Sequence, residues 1–293
     1  MNKPTRPVLR WHGGKWKLAS WIISHFPKHR VYVEPFGGAA SVLLRKKRSY
    51  AEVYNDLDDE LVNLFSVLRS PRAGDLIRAL MLTPFARREF LDCYEIASDP
   101  VERARRLIVR SFMGHGSGAP FRRPTGFRAN ANASGKHNTA AEWAGYPESL
   151  ALIVERLRGV VIEAADAIGV MERADRADTL HYVDPPYLPE SRSPRARMGG
   201  ALYHAYAHEL TGDDHARLLD CLRALAGMVV LSGYPSKLYD DALSDWRRVE
   251  TTAFADGARP RTEVLWLNPL CAAALDAGWW QGGATPLCLE VGA

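Results

Sequence analysis

Short apolar runs rich in Val, Ile, Tyr and Trp recur along the chain, and longer segments with helical spacing separate many of them. A run of this kind that is bounded by turn residues is typical of a buried strand. Seven such runs predict strands at Val31–Glu34, Glu52–Asn55, Val160–Glu163, His181–Asp184, Met228–Ser232, Val249–Phe254 and Val264–Leu267.

Helical periodicity fills several gaps between these strands. It predicts helices over Lys15–Phe26, Asp58–Leu68 and Asp213–Leu225. Thr211 and Asp214 stand in a capping-box pattern at the start of the last one. Strands that alternate with helices are typical of a layered α/β fold. We therefore predict an α/β protein with a mixed, mainly parallel sheet of about seven strands.

The segment between the second and third predicted strands departs from this alternation. Its first half has helical spacing after Pro71 and Pro84, whereas residues 114–138 are dense in Gly, Pro, Asn and Ser and predict a loop. It therefore has the character of an insertion in the α/β core. The predicted domains are a main α/β domain of residues 1–69 and 151–293 and an inserted helical and loop domain of residues 70–150.

Charge is distributed unevenly, although the composition is that of an ordinary globular protein. Hydrophobic residues make up 47% of the 293 residues and charged residues 25%, which excludes a disordered or fibrous chain. The net charge is +4, yet eight basic residues and no acidic one lie between Glu102 and Glu142, so the remainder carries −4. A segment with charge of one sign favours a polyanionic partner such as nucleic acid.

Other features of the composition restrict the location and the chemistry. No apolar run is long enough to span a bilayer and no secretory leader is present, so we expect no membrane association. The four cysteines are scattered without the paired spacing of a metal site. This predicts reduced thiols in a cytoplasm and no bound metal.

The first motif with chemical content is VYVEPFGGAASVLL, residues 31–44, which predicts a strand, a glycine turn and a helix start. Glycines at such a turn allow a ligand to approach the backbone beside free helix N–H groups. Asp56 follows at the end of the second predicted strand, where an acidic side chain can bind ribose hydroxyls. A nucleotide-dependent oxidoreductase would look similar, but G-x-G-x-x-G is absent, and a plain tight turn also stays open.

The second motif is HYVDPPYLPE, residues 181–190, in which an apolar strand ends at Asp184. Ligands of open α/β sheets bind at this carboxyl edge. Asp184 and the Pro185 carbonyl offer two adjacent acceptors, and Tyr187 offers a flat stacking surface. This set suits a planar ring that carries an NH₂ group, such as a nucleobase outside its helix. The alternative is a proline-rich loop that merely ends a strand.

Together with RWHGGK at residues 10–15, these two motifs resemble the DNA adenine N6-methyltransferases of the Dam type, in the order that this family has. The resemblance runs from about Leu9 to Pro269 and is closest to the phage and prophage branch. It includes YNDLDDEL, LSGYPSKLY and TEVLWLNP. It implies a Rossmann-like fold, S-adenosylmethionine (SAM) as the methyl donor, and double-stranded DNA as the substrate. It also implies a cytoplasmic, nucleoid-associated enzyme of a bacterial or phage-infected cell.

The resemblance assigns roles to the residues that match the family's motifs. Those that it places at SAM are Trp11, Lys15, Glu34, Phe36, Gly37, Gly38, Asp56, Asp166 and Asp184. Those that it places around the target adenine are Asp184, Pro185, Pro186 and Tyr187. Trp11 could instead belong to the core, and Asp166 could cap the helix that follows it.

The same resemblance implies the reaction. The adenine flips out of the duplex, stacks on Tyr187, and donates its N6–H groups to Asp184 and the Pro185 carbonyl. The methyl group then moves by direct in-line displacement, which needs neither a covalent enzyme intermediate nor a metal. Methylation of another planar NH₂ group, such as cytosine N4 or a glutamine amide, stays open at this point. So does an inactive DNA-binding regulator that retains the fold.

The segment 70–150 is predicted to be the target-recognition domain. Arg106 and Arg110 share one helix face and are predicted to contact phosphates. The loop residues predicted to enter a groove and read bases are Arg122, Arg123, Arg128 and Asn130. The family's Asn-x-Pro-x-Gly pattern is absent from this loop, so the recognition sequence of relatives does not carry over.

Overall fold

The computed structural model describes residues 3–116, 125–129, 138–188, 197–198, 201–202, 208–254 and 260–278. The strands in these ranges are β1 (Val31–Glu34), β2 (Ala51–Asn55), β3 (Val160–Glu163), β4 (Thr179–Val183), β5 (Arg197–Met198), β6 (Ala201–Leu202), β7 (Met228–Gly233), β8 (Arg247–Phe254) and β9 (Pro260–Leu267). The helices are α1 (Ala19–Ser24), α2 (Ser41–Arg45), α3 (Asp59–Leu68), α4 (Ala73–Met81), α5 (Arg87–Asp92), α6 (Pro100–Met113), α7 (Thr139–Ala144), α8 (Tyr146–Leu157), α9 (Ala167–Ala174), α10 (Gly212–Ala224), α11 (Lys237–Ala242) and α12 (Pro269–Asp276).

Seven of the described strands form one mixed sheet in the order β3-β2-β1-β4-β7-β9-β8, and β5 pairs with β6 outside it. The pairs among β3, β2, β1, β4 and β7 are parallel. β9 runs antiparallel to both β7 and β8. This confirms the predicted Rossmann-like α/β fold, and each of the seven predicted strands overlaps a strand of the sheet.

The central strands explain why apolar runs in the sequence predict the strands of this chain correctly. Every residue of β4 and β7 is buried, because helices cover both faces of a parallel sheet. Such strands are continuous apolar runs, bounded here by turn residues. The strand order reverses direction between β1 and β4, and open α/β sheets form their ligand crevice at this kind of switch point.

Local capping fixes two of the helices that the sequence predicts. At α3, the Asp58 carboxylate accepts a hydrogen bond of 2.9 Å from the Glu60 amide. At α10, the Asp214 amide donates to Thr211 Oγ1 (3.2 Å) and the Thr211 amide to Asp214 Oδ2 (2.9 Å), which confirms the capping box.

The predicted helix Lys15–Phe26 is shorter in the structure. It begins at Ala19, because the residues before it form turns. Gly13 has a φ of 72°, in the left-handed region that glycine tolerates, and the Gly14 amide donates to the Trp11 carbonyl at 3.1 Å. These turns direct the Lys15 side chain into the cavity described below.

The helices of the predicted insertion share their core with the sheet. Leu76, Leu107 and Leu150, on α4, α6 and α8, belong to the same buried hydrophobic cluster as Tyr54 of β2 and Leu61 of α3. The helical part of the segment is therefore packed as a layer on the α/β unit. The division into two functional domains stays a prediction.

The described part of the predicted loop is anchored at the end of α6. Gly114 and Phe127 form an isolated antiparallel bridge, the His115 amide donates to the Gly126 carbonyl (2.8 Å), and the Arg128 amide to the Met113 carbonyl (2.8 Å). The predicted base-reading residues Arg122, Arg123 and Asn130 lie outside the described residues. Arg128 is therefore the predicted groove residue whose surroundings can be described.

Candidate active site

A cavity that is partly open to solvent lies at the carboxyl ends of β1, β2 and β4. The turns after these strands and the segment before α1 form its walls. Predicted site residues that line it are Trp11, Lys15, Glu34, Phe36, Gly37, Gly38, Asp56, Asp184 and Pro186. Because parallel strands end at one edge, residues far apart in the sequence meet in this single space.

The glycine turn after β1 is shaped by close packing. A Cβ atom on Gly37 would lie 2.1 Å from Tyr54 Cε2, so a side chain there would collide with the ring. The Tyr54 hydroxyl donates to the Gly38 carbonyl at 2.7 Å. Gly38 itself has a φ of 49°, and its backbone lies beside the Trp11 ring. Gly37 thus serves a contact within the protein, whereas Gly38 presents its backbone to the cavity.

Asp56 faces the cavity and is held by two backbone amides. Its Oδ2 accepts a hydrogen bond from Gly38 N and its Oδ1 from Asp58 N, each at 2.8 Å. Burial raises the pKa of Asp56 to about 6. A carboxylate can accept about four hydrogen bonds, so each oxygen retains capacity for a hydroxyl donor.

Asn55 is a structural residue of this edge that sequence reasoning missed. Its Nδ2 donates to the carbonyls of Pro35 (2.9 Å) and Ala165 (3.0 Å), and its Oδ1 accepts from the Ala165 amide (2.9 Å). One buried amide thereby joins the turns after β1, β2 and β3. The sequence did contain one indication of this role, because Asn55 stands at the buried end of a strand and buried polar groups need hydrogen-bond partners.

Glu34 ends β1 and is almost completely buried at the cavity wall. Its Oε2 accepts hydrogen bonds from the Tyr32 hydroxyl (2.8 Å) and the Leu43 amide (3.0 Å). Burial raises the pKa of Glu34 to about 8, and the nearby Asp184 carboxylate adds to the rise. The Glu34 side chain is therefore mostly protonated at pH 7.

We expect this protonation to make stability depend on pH. Between its ordinary pKa of 4.5 and about 8, Glu34 is protonated in the folded state and ionised in the unfolded one, so the free energy of unfolding falls as pH rises. Glu34→Gln keeps an acceptor for Tyr32 and does not titrate. In urea unfolding at about pH 5 and about pH 8.5, the wild type should lose stability relative to this variant at the higher pH. If the difference in the free energy of unfolding between wild type and Glu34→Gln is the same at both pH values, the pKa of Glu34 is close to its ordinary value.

Asp184 lies at the end of β4 in an ion pair with Lys15. The Lys15 Nζ is 2.9 Å from Asp184 Oδ2 and also donates to the Gly13 carbonyl at 2.8 Å. Asp184 Oδ1 is buried. Burial raises the pKa of Asp184, and the Lys15 ammonium opposes that rise. Hydrogen bonding from the Tyr187 and Ser232 hydroxyls to the Asp184 carboxyl opposes the rise as well.

Tyr187 is buried next to Asp184 and is not one of the described residues that line the cavity. The Lys15 Nζ lies 4.7 Å from the ring centroid, and Tyr234 packs edge-on against the ring at 4.5 Å between centroids. Pro185 is buried behind it, and Pro186 lines the cavity. Tyr234 is a further residue of this site to which the sequence analysis gave no role.

Residues 11–255 match the model of the family of D12 class N6 adenine-specific DNA methyltransferases. The chain belongs to this family. It is 28% identical over 227 residues to the DNA adenine methylase of Salmonella typhi, covering 73% of this chain and 74% of that protein. The DNA adenine methylase of Escherichia coli strain K12 is 28% identical over 224 residues, with 73% and 74% covered. That of Vibrio cholerae O395 is 27% identical over 226 residues, with 74% and 76% covered.

As a D12-class methyltransferase, the chain is an adenine-specific DNA methyltransferase, and the predicted Dam-type resemblance is confirmed. The sequence alone left open which kind of NH₂ group is methylated, and the family is specific for N6 of adenine. The matched region extends from Trp11 to beyond β8 and therefore includes both motifs that line the cavity.

Asp166 has the environment of a helix cap in this D12-class enzyme. It is exposed, and its Oδ2 accepts a hydrogen bond of 3.0 Å from the Gly169 amide in the first turn of α9. The alternative that Asp166 caps this helix is therefore confirmed. The neighbouring Ala167 lines the cavity, and a contact between Asp166 and the adenine of SAM stays a prediction.

The arginines of α6 are engaged with acidic side chains, which argues against the predicted phosphate contacts. Arg106 Nε donates to Glu102 Oε1 at 2.7 Å. Arg110 is buried, with its guanidinium donating to the Cys93 carbonyl (2.7 Å) and to Glu60 Oε2 (3.2 Å). A phosphate could reach Arg110 only if these contacts broke, so the prediction for Arg110 is wrong in this conformation.

Two further observations concern membranes and metals. None of the helices in the described ranges is both long and apolar enough to cross a membrane. The described His, Cys, Asp and Glu side chains include no group of three or more that could hold a metal ion.

Cys93 and Cys271 are buried thiols, and burial raises the pKa of each to about 12, so neither is activated as a nucleophile.

Proposed function

We propose that this enzyme takes the methyl group from SAM and transfers it to N6 of an adenine flipped out of duplex DNA, with Asp184 and Tyr187 at the centre of the reaction. The observation that carries this proposal is the continuity of the cavity. Its lining joins Gly38 and Asp56, which suit a nucleoside, to Asp184 and Pro186, which suit an amino group on a planar ring. The methyl donor and the acceptor base can therefore meet in one cavity.

The residues present fit SAM. The backbone of Gly38 is exposed to the cavity next to Trp11, and the Asp56 carboxylate can accept the two ribose hydroxyls. Phe36 contributes apolar surface. When it is bound, SAM supplies a methyl group on a positively charged sulfur. The Glu34 carboxyl at the cavity wall is mostly neutral at pH 7, so the acidic groups that face the cavity with a negative charge are Asp56, Asp58 and Asp184.

Asp184, Pro185 and Tyr187 are proposed to hold the adenine. Asp184 lines the cavity, and its carboxyl is an acceptor to which an N6–H group can donate. The Pro185 carbonyl accepts the second N6–H, and the Tyr187 ring stacks on the base. The two hydrogen bonds draw the N6 lone pair out of conjugation. After methylation N6 must lose a proton, and Asp184, whose pKa is raised by burial, is the adjacent base.

Replacing Asp56 tests the SAM half of the cavity. Asp56→Ala should weaken SAM binding by about 1.5–3 kcal/mol, because hydrogen bonds to a charged acceptor are lost. Titration calorimetry measures this directly. Asp99→Ala, which removes the N-cap of α6 outside the cavity, is the matched control and should leave affinity unchanged.

A comparison of two ligands shows whether Asp56→Ala weakens binding by removing a ribose contact or by loosening the glycine turn. Wild type should bind S-adenosylhomocysteine more tightly than its 2′-deoxy analogue, and Asp56→Ala should bind both equally. If the variant still discriminates between them, Asp56 acts by holding the amides of Gly38 and Asp58 instead.

DNA recognition is proposed to involve the loop that follows α6. Arg128 donates to the Phe112 carbonyl at 3.2 Å, and burial together with the nearby Arg10 lowers its pKa. Arg10 NH1 is buried without a hydrogen-bond partner among the described residues. This local excess of positive charge supports DNA contact at the base of the loop, with Arg122, Arg123 and Asn130 as proposed base-reading residues. Because DNA is its substrate, we place the enzyme in the cytoplasm at the nucleoid.

A further inference from the structure

The Tyr187 hydroxyl contacts two residues outside its own motif, in addition to its hydrogen bond with the Asp184 carboxyl. It donates a hydrogen bond of 3.0 Å to Glu263 Oε2, and the Ser232 Oγ lies 3.2 Å away. Ser232 lies in β7 and Glu263 in β9. The ring that is proposed to stack on the adenine is therefore anchored through the antiparallel side of the sheet.

The strand direction explains how Glu263 reaches this position. β9 runs antiparallel to β7, with Val264 opposite Gly233 and Leu265 opposite Ser232. The first residues of β9 therefore lie at the edge where the parallel strands end, which is the edge that carries the cavity. Glu263 precedes a fully buried run and is itself only 8% exposed.

A buried carboxylate is costly unless its partners compensate for lost hydration. In the described part of the chain, the hydrogen bond from Tyr187 is the one that the Glu263 side chain receives. Burial raises the pKa of Glu263, while the positive charges of Lys15 and Arg261 oppose the rise. A leucine or methionine would pack in this strand without such a cost, so the acid is better explained by its contact with Tyr187 than by stability.

The contacts of Tyr187 define the orientation of its ring. The hydroxyl is held by Glu263, and one part of the ring meets the edge-on ring of Tyr234. The Lys15 Nζ, which is paired with Asp184, lies 4.7 Å from the ring centroid. The ring and the Asp184 carboxylate therefore both lie beside the Lys15 ammonium. A tilt of the ring would move the stacking surface away from the acceptor of N6–H.

We propose that Glu263 is a positioning residue for the target adenine, which it orients by fixing the hydroxyl, and hence the plane, of Tyr187. The proposal rests on the proposed function, in which Tyr187 stacks on the flipped base. Glu263 does not touch the base in this proposal. Its effect reaches the reaction through one hydrogen bond, and a variant of Glu263 should therefore act in the same direction as removal of the Tyr187 hydroxyl.

The test compares Glu263→Met with Tyr187→Phe in the full-length enzyme. Each should lower the single-turnover methylation rate at saturating SAM about tenfold, as expected for loss of one hydrogen bond to a charged group. The double variant should be no slower than Tyr187→Phe, because that substitution already removes the hydrogen bond to Glu263. Glu263→Gln retains an acceptor and should stay within about threefold of wild type. Glu250→Met on the exposed edge strand β8 is the matched control and should change nothing.

A second measurement reports the orientation of the base without catalysis. DNA with 2-aminopurine in place of the target adenine, in the sequence identified from methylated genomic DNA, fluoresces when the base leaves the stack and is quenched when it stacks on a tyrosine. Glu263→Met and Tyr187→Phe should raise this fluorescence to a similar level in the bound complex. The dissociation constant for SAM should be unchanged in both.

The outcomes separate this inference from the proposal on which it rests. If Glu263→Met keeps the wild-type methylation rate while Tyr187→Phe is slow, Glu263 does not act through Tyr187. The same conclusion follows if the rate reductions of the two single variants multiply in the double variant. A Glu263→Met variant that loses SAM affinity and thermal stability together has a structural role, which also overturns the inference. If Tyr187→Ala methylates DNA normally, the proposed stacking itself is wrong.

Discussion

Asp184→Ala should lower the rate of methyl transfer by about 10²- to 10³-fold, the usual loss when one preorganised group that stabilises a transition state is removed. The acceptor for N6–H disappears, and so does the adjacent base that takes the released proton. Incorporation of labelled methyl groups into DNA under single-turnover conditions measures the loss. Near-wild-type incorporation by a folded variant would refute the catalytic role.

This substitution also affects Lys15, and the experiment has to separate the two effects. Without the carboxylate 2.9 Å away, the buried Lys15 ammonium loses its ion-pair partner, so Asp184→Ala should also be less stable. Adding Lys15→Met should restore thermal stability. It should not restore the rate. Recovery of activity in the double variant would show that the single variant failed through misfolding rather than chemistry.

Arg110→Ala should destabilise the fold by about 3–5 kcal/mol, the range for breaking a buried ion pair by removing one partner. Glu60 would retain Arg103, whose NH2 lies 2.8 Å from Glu60 Oε1, which favours the lower end of this range. Urea unfolding measures the change. Arg72→Ala removes an exposed pair with Asp99 and is the control that should change stability little.

The same Arg110 variant decides between the structural role and the predicted phosphate contact. A phosphate contact would reduce the slope of DNA affinity against salt concentration by about one unit. We expect an unchanged slope, measured below the unfolding temperature of the variant. A reduced slope in a variant of normal stability would restore the original prediction.

The residues at strand ends could be predicted because both the strand and its last residue are local in sequence. Asp56 directly follows a predicted strand and Asp184 ends one, and parallel strands necessarily end at one edge. The turn glycines were found for the same reason, although only the structure shows that Gly37 avoids the Tyr54 ring. Local pattern and sheet topology were sufficient for this half of the site.

Contacts between segments that are distant in the sequence could not be predicted from local patterns. Glu263 enters the site through antiparallel pairing of β9 with β7, which periodicity does not specify. The arginines of α6 formed a basic run because the acids that pair with them lie outside it: Glu102 just precedes the run, and Glu60 is 50 positions before Arg110. A count of charges along the sequence does not include pairing in space.

The helices of the inserted segment have a consequence for how new DNA specificities can arise in such enzymes. Leu76, Leu107 and Leu150 pack in the cluster that also contains Tyr54, directly behind the glycine turn. Exchanging the whole segment 70–150 between relatives would require the core behind the catalytic edge to repack at the same time. The stretch between α6 and α7 can vary without removing any of these leucines. The proposed base-reading loop can therefore be replaced without repacking this core, whereas the helices that carry the loop are constrained by their packing behind the catalytic edge.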